Sequence, residues 1–123
     1  MNKTILIIED NKALRMVMRD ELVSNDFKVV TAENGKEGLE LIEETEPDLI
    51  VLDLIMPEMS GEEVLKNLQE KGISKRIPVV VTSSKSEQAE INNCLNVLGA
   101  RDYFIKSEVS IDLIVKKIKS LLI

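Results

Sequence analysis

Residues 49–61 read LIVLDLIMPEMSG, where four apolar side chains, Leu49 to Leu52, run without a break into the carboxylate of Asp53. A short unbroken apolar run that follows a breaker, here Pro47, reads as a strand covered on both faces rather than one. A charge at the end of such a strand risks burial, which costs several kcal/mol or more without a compensating partner. Asp53 therefore implies a partner, and the strand implies layers of helix on either side of it.

Four other runs resemble this one. Thr4 to Glu9 (TILIIE), Lys28 to Ala32 (KVVTA), Pro78 to Ser83 (PVVVTS) and Asp102 to Lys106 (DYFIK) are short and rich in β-branched or aromatic residues. Between them lie longer stretches of helical period. Lys12 to Ser24 places Leu14, Val17, Met18 and Leu22 at spacings of three and four. Similar stripes run through Leu39 and Ile42, through Val64, Leu65 and Leu68, through Ile91, Leu95 and Leu98, and through Leu113, Ile114, Ile118, Leu121 and Leu122. Breakers at Asn25-Asp26, Pro47, Gly72 and Gly99 end the helices, and Ser60 and Ser110 stand where N-caps belong. Alternation of this kind defines an α/β fold: a doubly wound, five-stranded parallel sheet with five helices. The nearly continuous first, third and fourth strands form its centre.

The 123 residues suit one domain, residues 1–123, with 44% apolar and 31% charged residues in a globular balance. The net charge of −6, with acids clustered between Glu33 and Asp48, argues against direct nucleic-acid binding. Glu37, Glu40, Glu43 and Glu44 read as a solvated helix face. The single cysteine, Cys94, cannot form an internal disulfide and reads as a small core residue. No stretch approaches a membrane span and the apolar start is too short for a signal peptide, so a cytoplasmic protein without membrane insertion is expected.

In an open doubly wound sheet, ligands bind at the carboxyl ends of the strands near the point where strand order reverses. Glu9 and Asp10 follow the first strand, Asp53 ends the third, Ser83 the fourth and Lys106 the fifth. Carboxylates converging at one edge repel each other unless a cation lies among them. Mg²⁺ suits the set, with Asp10 and Asp53 as direct ligands and Glu9 through water. Lys106 adds a compact positive charge and Ser83 a hydroxyl donor, so the edge fits a tetrahedral anion. A carboxylate in that setting can attack phosphorus and form an acyl phosphate, which makes Asp53 the expected phosphoacceptor.

In these motifs the chain resembles the response-regulator receiver domain of two-component signalling, along essentially its whole length. The acid pair in IIEDN, Asp53 in LIVLDLIMPEMSG, the hydroxyl in PVVVTSS and the lysine in YFIK carry the resemblance, with Ser83 standing 30 residues and Lys106 53 residues after Asp53. The resemblance implies a flavodoxin-like sheet of order 2-1-3-4-5. It implies Mg²⁺ held by Glu9, Asp10, Asp53 and the main-chain carbonyl of Ile55, with Ser83 as switch hydroxyl and Lys106 as phosphate clamp. Tyr103 takes the place of an aromatic that turns inward after the hydroxyl moves, altering the surface of the fourth helix, fifth strand and fifth helix. The implied partners are a sensor histidine kinase or histidine phosphotransfer protein, docking near Leu14, Arg15 and Met18 of the first helix, and an unknown downstream protein. A monomer or a phosphorylation-dependent dimer is expected, with no effector domain in this chain.

Departures from the pattern refine these expectations. Ser107 stands where many receivers have proline, and a non-proline cis bond costs about 3 kcal/mol, so a trans peptide is expected after Lys106. Thr82 and Ser84 flank Ser83 with further hydroxyls, but strand alternation sets Thr82 on the opposite face. Ile55 and Lys85 stand where the family flanks the path of a hydrolytic water. Neither can accept that water's proton, so self-dephosphorylation is expected to be slow.

The reading is of a regulatory phosphoacceptor rather than an enzyme. The chain has no histidine and cannot be its own phosphohistidine donor. An unphosphorylated interaction module is the alternative, although such a module is expected to lose the acid pair, Asp53 or Lys106. A phosphatase of the haloacid-dehalogenase type needs an aspartate at the position of Ile55, and an FMN carrier needs a phosphate-cradling loop where Glu9 and Asp10 stand.

Overall fold

The apolar runs pair side by side. In the computed structural model, which describes residues 2–122, β1 (Thr4–Ile8), β2 (Lys28–Ala32), β3 (Leu49–Asp53), β4 (Val79–Ser83) and β5 (Asp102–Ile105) form one sheet of order β2-β1-β3-β4-β5. Every neighbouring pair is parallel. All five residues of β3 and of β4 are buried, as their composition requires.

Helices cover both faces: α1 (Lys12–Ser24), α2 (Gly35–Thr45), α3 (Gly61–Glu70), α4 (Ile73–Arg76), α5 (Gln88–Asn92) and α6 (Ile111–Leu122). The sequence reading expected five helices, and α4 is the addition among the described residues. It is a single turn entered from Gly72 at φ 74°, too short to leave a periodic signal. The predicted fourth helix is α5 running on as a π-helical turn, Asn93–Val97, whose Val97 carbonyl accepts a bond from Gln69 Nε2 at 2.6 Å. Side-chain caps from Asn11, Asn34, Ser60 and Ser110 satisfy backbone N–H groups at the starts of α1, α2, α3 and α6.

The alternating side chains of the sheet feed two cores. Leu6, Ile8, Ile50, Leu52, Val79 and Val81 pack with Ile42, Val64, Leu68 and Cys94, under α2, α3 and the π turn. Ile5, Ile7, Leu49, Val51 and Val80 pack with Met18 and Leu22 of α1 and Ile114, Val115 and Ile118 of α6. Two stripes differ from expectation. Val17 is 52% exposed and Leu113 51%, while Arg15 and Val115 face inward in their stead. Each helix turns by roughly 100° per residue, and on α1 the sheet buries Arg15, Met18 and Leu22 with Leu14 half-buried beside them and leaves Val17 out.

The chain leaves β1 for β2 on one side and returns through β3 to β4 and β5 on the other. Strand order therefore reverses between β1 and β3, and the carboxyl ends of those strands carry the acidic residues.

Candidate functional site

Glu9 extends the end of β1, its N–H donating to Ala32 O at 3.1 Å, and its side chain is buried. Asp10, one residue on, is exposed. Glu9 Oε2 accepts a bond from the backbone N–H of Asn11 at 3.1 Å, and Asn11 caps α1 through Leu14 N. Asp53 ends β3 at 2% exposure, and its Oδ1 accepts from Ile55 N at 3.3 Å. Carboxylate oxygens of Glu9, Asp10 and Asp53 lie within 4.8 Å of one another.

Asp53 is held from behind by α3. Gly61 N–H donates to Leu54 O at 2.8 Å, and a Cβ on Gly61 would lie 2.3 Å from the Asp53 carbonyl oxygen and 2.6 Å from Leu54 Cα. No side chain fits there, so glycine lets the first turn of α3 press against the strand end.

The partner that Asp53 requires is Lys106. Its Nζ stands 3.2 Å from Asp53 Oδ1 and 2.9 Å from Glu9 Oε1. The approach to Glu9 is close but not aligned as a hydrogen bond, so Glu9 Oε1 is buried without a hydrogen-bond partner. One cation facing buried carboxylates leaves the site short of positive charge. Burial, then the charge and hydrogen bonding of Glu9, push the Asp53 carboxyl up to about 7 against the opposing pull of Lys106. Burial alone would lower Lys106, but Glu9 and Asp53 outweigh it and hold the ammonium above its ordinary value.

Ser83 is fully buried at the end of β4, its Oγ accepting from Lys85 N at 3.1 Å. Tyr103 points inward, and its hydroxyl donates to Lys85 O at 2.8 Å. Burial raises the Tyr103 phenol, partly offset by a hydrogen bond with Ser83. Lys85 is fixed in turn by an ion pair with Glu90 at 3.0 Å. Thr82 faces the α1/α6 side with Met18 and Ile114 nearby, opposite to Ser83, and its buried Oγ1 has no partner. The Lys106–Ser107 peptide is trans, as no described residue has a cis bond.

The strand ends thus bring Glu9, Asp10, Asp53 and Lys106 into one cluster, with Ser83 at the end of β4, Tyr103 further back within β5, and Ile55 48% exposed just past Asp53. The first helix departs from expectation. Arg15 and Met18 are buried and cannot form an outer docking face. Arg15 instead turns back under the acid pair, with Nη1 donating to Glu9 O at 2.9 Å and Asp10 O at 3.4 Å. Its alignment with Met18 and Leu22 at spacings of three and four was the available signal, obscured by its charge. The bond from the Tyr103 hydroxyl to Lys85 O had no sequence signal, since it depends on a loop path.

Over residues 5–119 the chain matches the response regulator receiver domain family. It is 39% identical over 103 residues to the two-component response regulator ORR5 of Oryza sativa subsp. japonica, spanning 83% of this chain and 76% of that protein. It is 37% identical over 103 residues to the chemotaxis protein CheY of Bacillus subtilis, spanning 83% of each. Among solved structures, the receiver domain of a Francisella response regulator is similar with a TM-score of 0.90 at 29% identity, over 98% of this chain and 96% of that one. The Thermotoga maritima response regulator TrrA, in complex with Mg²⁺-BeF, is similar with a TM-score of 0.81 at 28% identity, over 97% and 98%. The chain belongs to the response regulator receiver domain family, a class of regulatory rather than enzymatic domains in two-component signalling. No described helix is long and apolar enough to cross a membrane.

Proposed function

We propose that this receiver domain is a phosphorylation-controlled switch whose Asp53 carboxylate accepts a phosphoryl group from a sensor histidine kinase or histidine phosphotransfer protein in the cytoplasm. The observation that carries the reading is the convergence of Glu9, Asp10 and Asp53 within 4.8 Å, with Lys106 against two of them. An ammonium alone does not balance that cluster.

The residues fit Mg²⁺. The donors are hard oxygens, and the buried Glu9 Oε1 has against it only the Lys106 ammonium, which it shares with Asp53. Glu9, Asp10, Asp53 and the main-chain carbonyl of Ile55 would hold the ion. Bound there, Mg²⁺ would neutralise charge on the oxygens of the transferring group. Asp53 must be ionised to act, and a pKa near 7 leaves it poised between its two forms until a cation arrives.

A carboxylate oxygen of Asp53 attacks phosphorus and forms a new O–P bond. The bond from phosphorus to the donor breaks, and its electron pair leaves with the imidazole nitrogen of a phosphohistidine or with the acetate oxygen of acetyl phosphate. Lys106 pairs with a phosphoryl oxygen. Ser83 donates its hydroxyl to another, and the shift of Oγ toward the phosphoryl group draws it away from Lys85 N and disturbs the carbonyl that receives Tyr103. Output then runs through the surface of α5, β5 and α6. Ile55 and Lys85 offer a hydrolytic water no base, so the acyl phosphate is lost slowly.

Intact mass after incubation with acetyl phosphate and Mg²⁺ tests the reading. One added phosphoryl group is expected, absent in Asp53→Ala and absent without Mg²⁺. A wild-type protein that gains none, from acetyl phosphate or from a histidine-kinase donor, overturns it in favour of an unphosphorylated interaction module.

A further inference from the structure

Arg15 is the one arginine of the chain that is buried, with 6% exposure, and its guanidinium is spent on main chain rather than on an internal carboxylate. Nη1 donates to two successive carbonyls, Glu9 O at 2.9 Å and Asp10 O at 3.4 Å. Nη2 reaches Glu33 Oε1 at 3.3 Å, but that carboxylate is 68% exposed. The ion pair is therefore the weak arm of the contact and the two carbonyls the strong one.

Those carbonyls belong to the residues that carry the acid pair. Fixing the peptide planes after Glu9 and Asp10 fixes the Cα–Cβ directions along which both carboxylates leave the chain. Mutual repulsion pushes Glu9, Asp10 and Asp53 apart. Asn11 N restrains Glu9 from the side chain, whereas Asp10 is exposed and no described side-chain hydrogen bond in the loop restrains its carboxylate. Apart from a hydrogen bond shared with Asp53, its backbone is the handle that remains.

On the reading that these carboxylates hold Mg²⁺, we propose that Arg15 is the positioning residue of the metal site, clamping the turn between β1 and α1 from the side away from the ion. It touches neither metal nor phosphoryl group. Supporting groups that orient metal ligands commonly change affinity 10- to 100-fold when removed, and a clamp on main chain belongs at the low end of that range.

The test is titration of the intact chain with Mg²⁺ alone, followed by amide shifts of Asp10, Asn11, Leu54 and Ile55. Arg15→Met keeps the aliphatic stem and removes the donors. Its Mg²⁺ Kd is expected to rise about tenfold, while the amides of Ser83 and Tyr103 keep their metal-free positions. Arg15→Lys keeps the charge and loses the planar fork, so its Kd is expected to fall between the two. Glu33→Gln is expected to stay within about twofold of wild type, as an exposed ion pair should.

Full wild-type affinity in Arg15→Lys would reduce Arg15 to a local charge and overturn the clamp. A lowered denaturation midpoint in Arg15→Met with unchanged Kd in the folded protein would make Arg15 purely structural, and also overturns it. Should Arg15→Met not fold, Arg15→Lys alone decides between clamp and charge. A wild-type chain that does not bind Mg²⁺ fails differently, removing the metal reading and this inference with it.

Discussion

Replacing Asp53 with asparagine should make the metal-free protein more stable, and by an amount that grows with pH. Asp53 titrates near 7 in the folded chain against an ordinary value of 3.8, so between those values the folded state binds the extra proton. A folded-state pKa raised in this way carries stability that is complete below 3.8 and is lost as pH rises through 7. Between pH 5 and pH 8 the loss is on the order of 2 to 3 kcal/mol, most of it across the two units below the folded pKa. Asparagine keeps the Oδ1 acceptor for Ile55 N and leaves Lys106 paired with Glu9, so it removes the penalty without orphaning either partner. Urea unfolding of wild type and Asp53→Asn in chelator at pH 5, 6, 7 and 8 measures the effect. The two stabilities should diverge by roughly 2 to 3 kcal/mol, or on the order of 10 °C in Tm for a domain of this size. Added Mg²⁺ should close the gap by stabilising wild type alone. Parallel pH curves for the two proteins would falsify the premise that Asp53 is held protonated by burial and by Glu9.

Other perturbations probe the parts around it. Gly61→Ala should destabilise the fold by about 3 kcal/mol in urea unfolding, because the new methyl meets Asp53 and Leu54 backbone and not a yielding side chain. Thr82→Val should raise stability by about 1 kcal/mol, since it removes a buried hydroxyl without a partner, and a drop would mean that the hydroxyl is in fact satisfied. Tyr103→Phe should cost about 1 kcal/mol and speed hydrogen exchange in the loop around Lys85, with unchanged exchange counting against the bond to Lys85 O. Ile55→Asn should shorten the lifetime of the acyl phosphate by offering the water a hydrogen-bonding side chain, and an equal or longer lifetime in the variant would sink that account.

Strand identity was legible in composition because buried parallel strands admit almost nothing but apolar residues, as β3 and β4 illustrate. The site residues were legible for the converse reason: Asp53 and Ser83 are polar groups placed where the surrounding pattern forbids polarity. Helix faces were less so. Arg15 and Val17 flank the row of Met18 and Leu22 on α1 from either side, and only the tertiary packing settles that Arg15 goes in and Val17 stays out. The α4 turn and the π-helical turn at Asn93–Val97 escaped because each is far shorter than the stretch over which a helical period shows. The geometry of the Tyr103 hydroxyl was likewise beyond reach, since its acceptor is a main-chain carbonyl, which is the same for any residue.

The ion pairs of Lys106 join the last strand of the sheet to its first and third. A ribosome makes those elements in an order that matters. β1 pairs with β2 on one side and β3 on the other, and the three can associate as soon as they emerge, bringing Glu9, Asp10 and Asp53 to one edge while Lys106 is not yet synthesised. The half-made sheet thus meets charge repulsion at its carboxyl edge that the finished sheet relieves. Closure by β5 supplies the missing ammonium, which ties the amino-terminal strands to the later half of the sheet and favours folding as one cooperative unit.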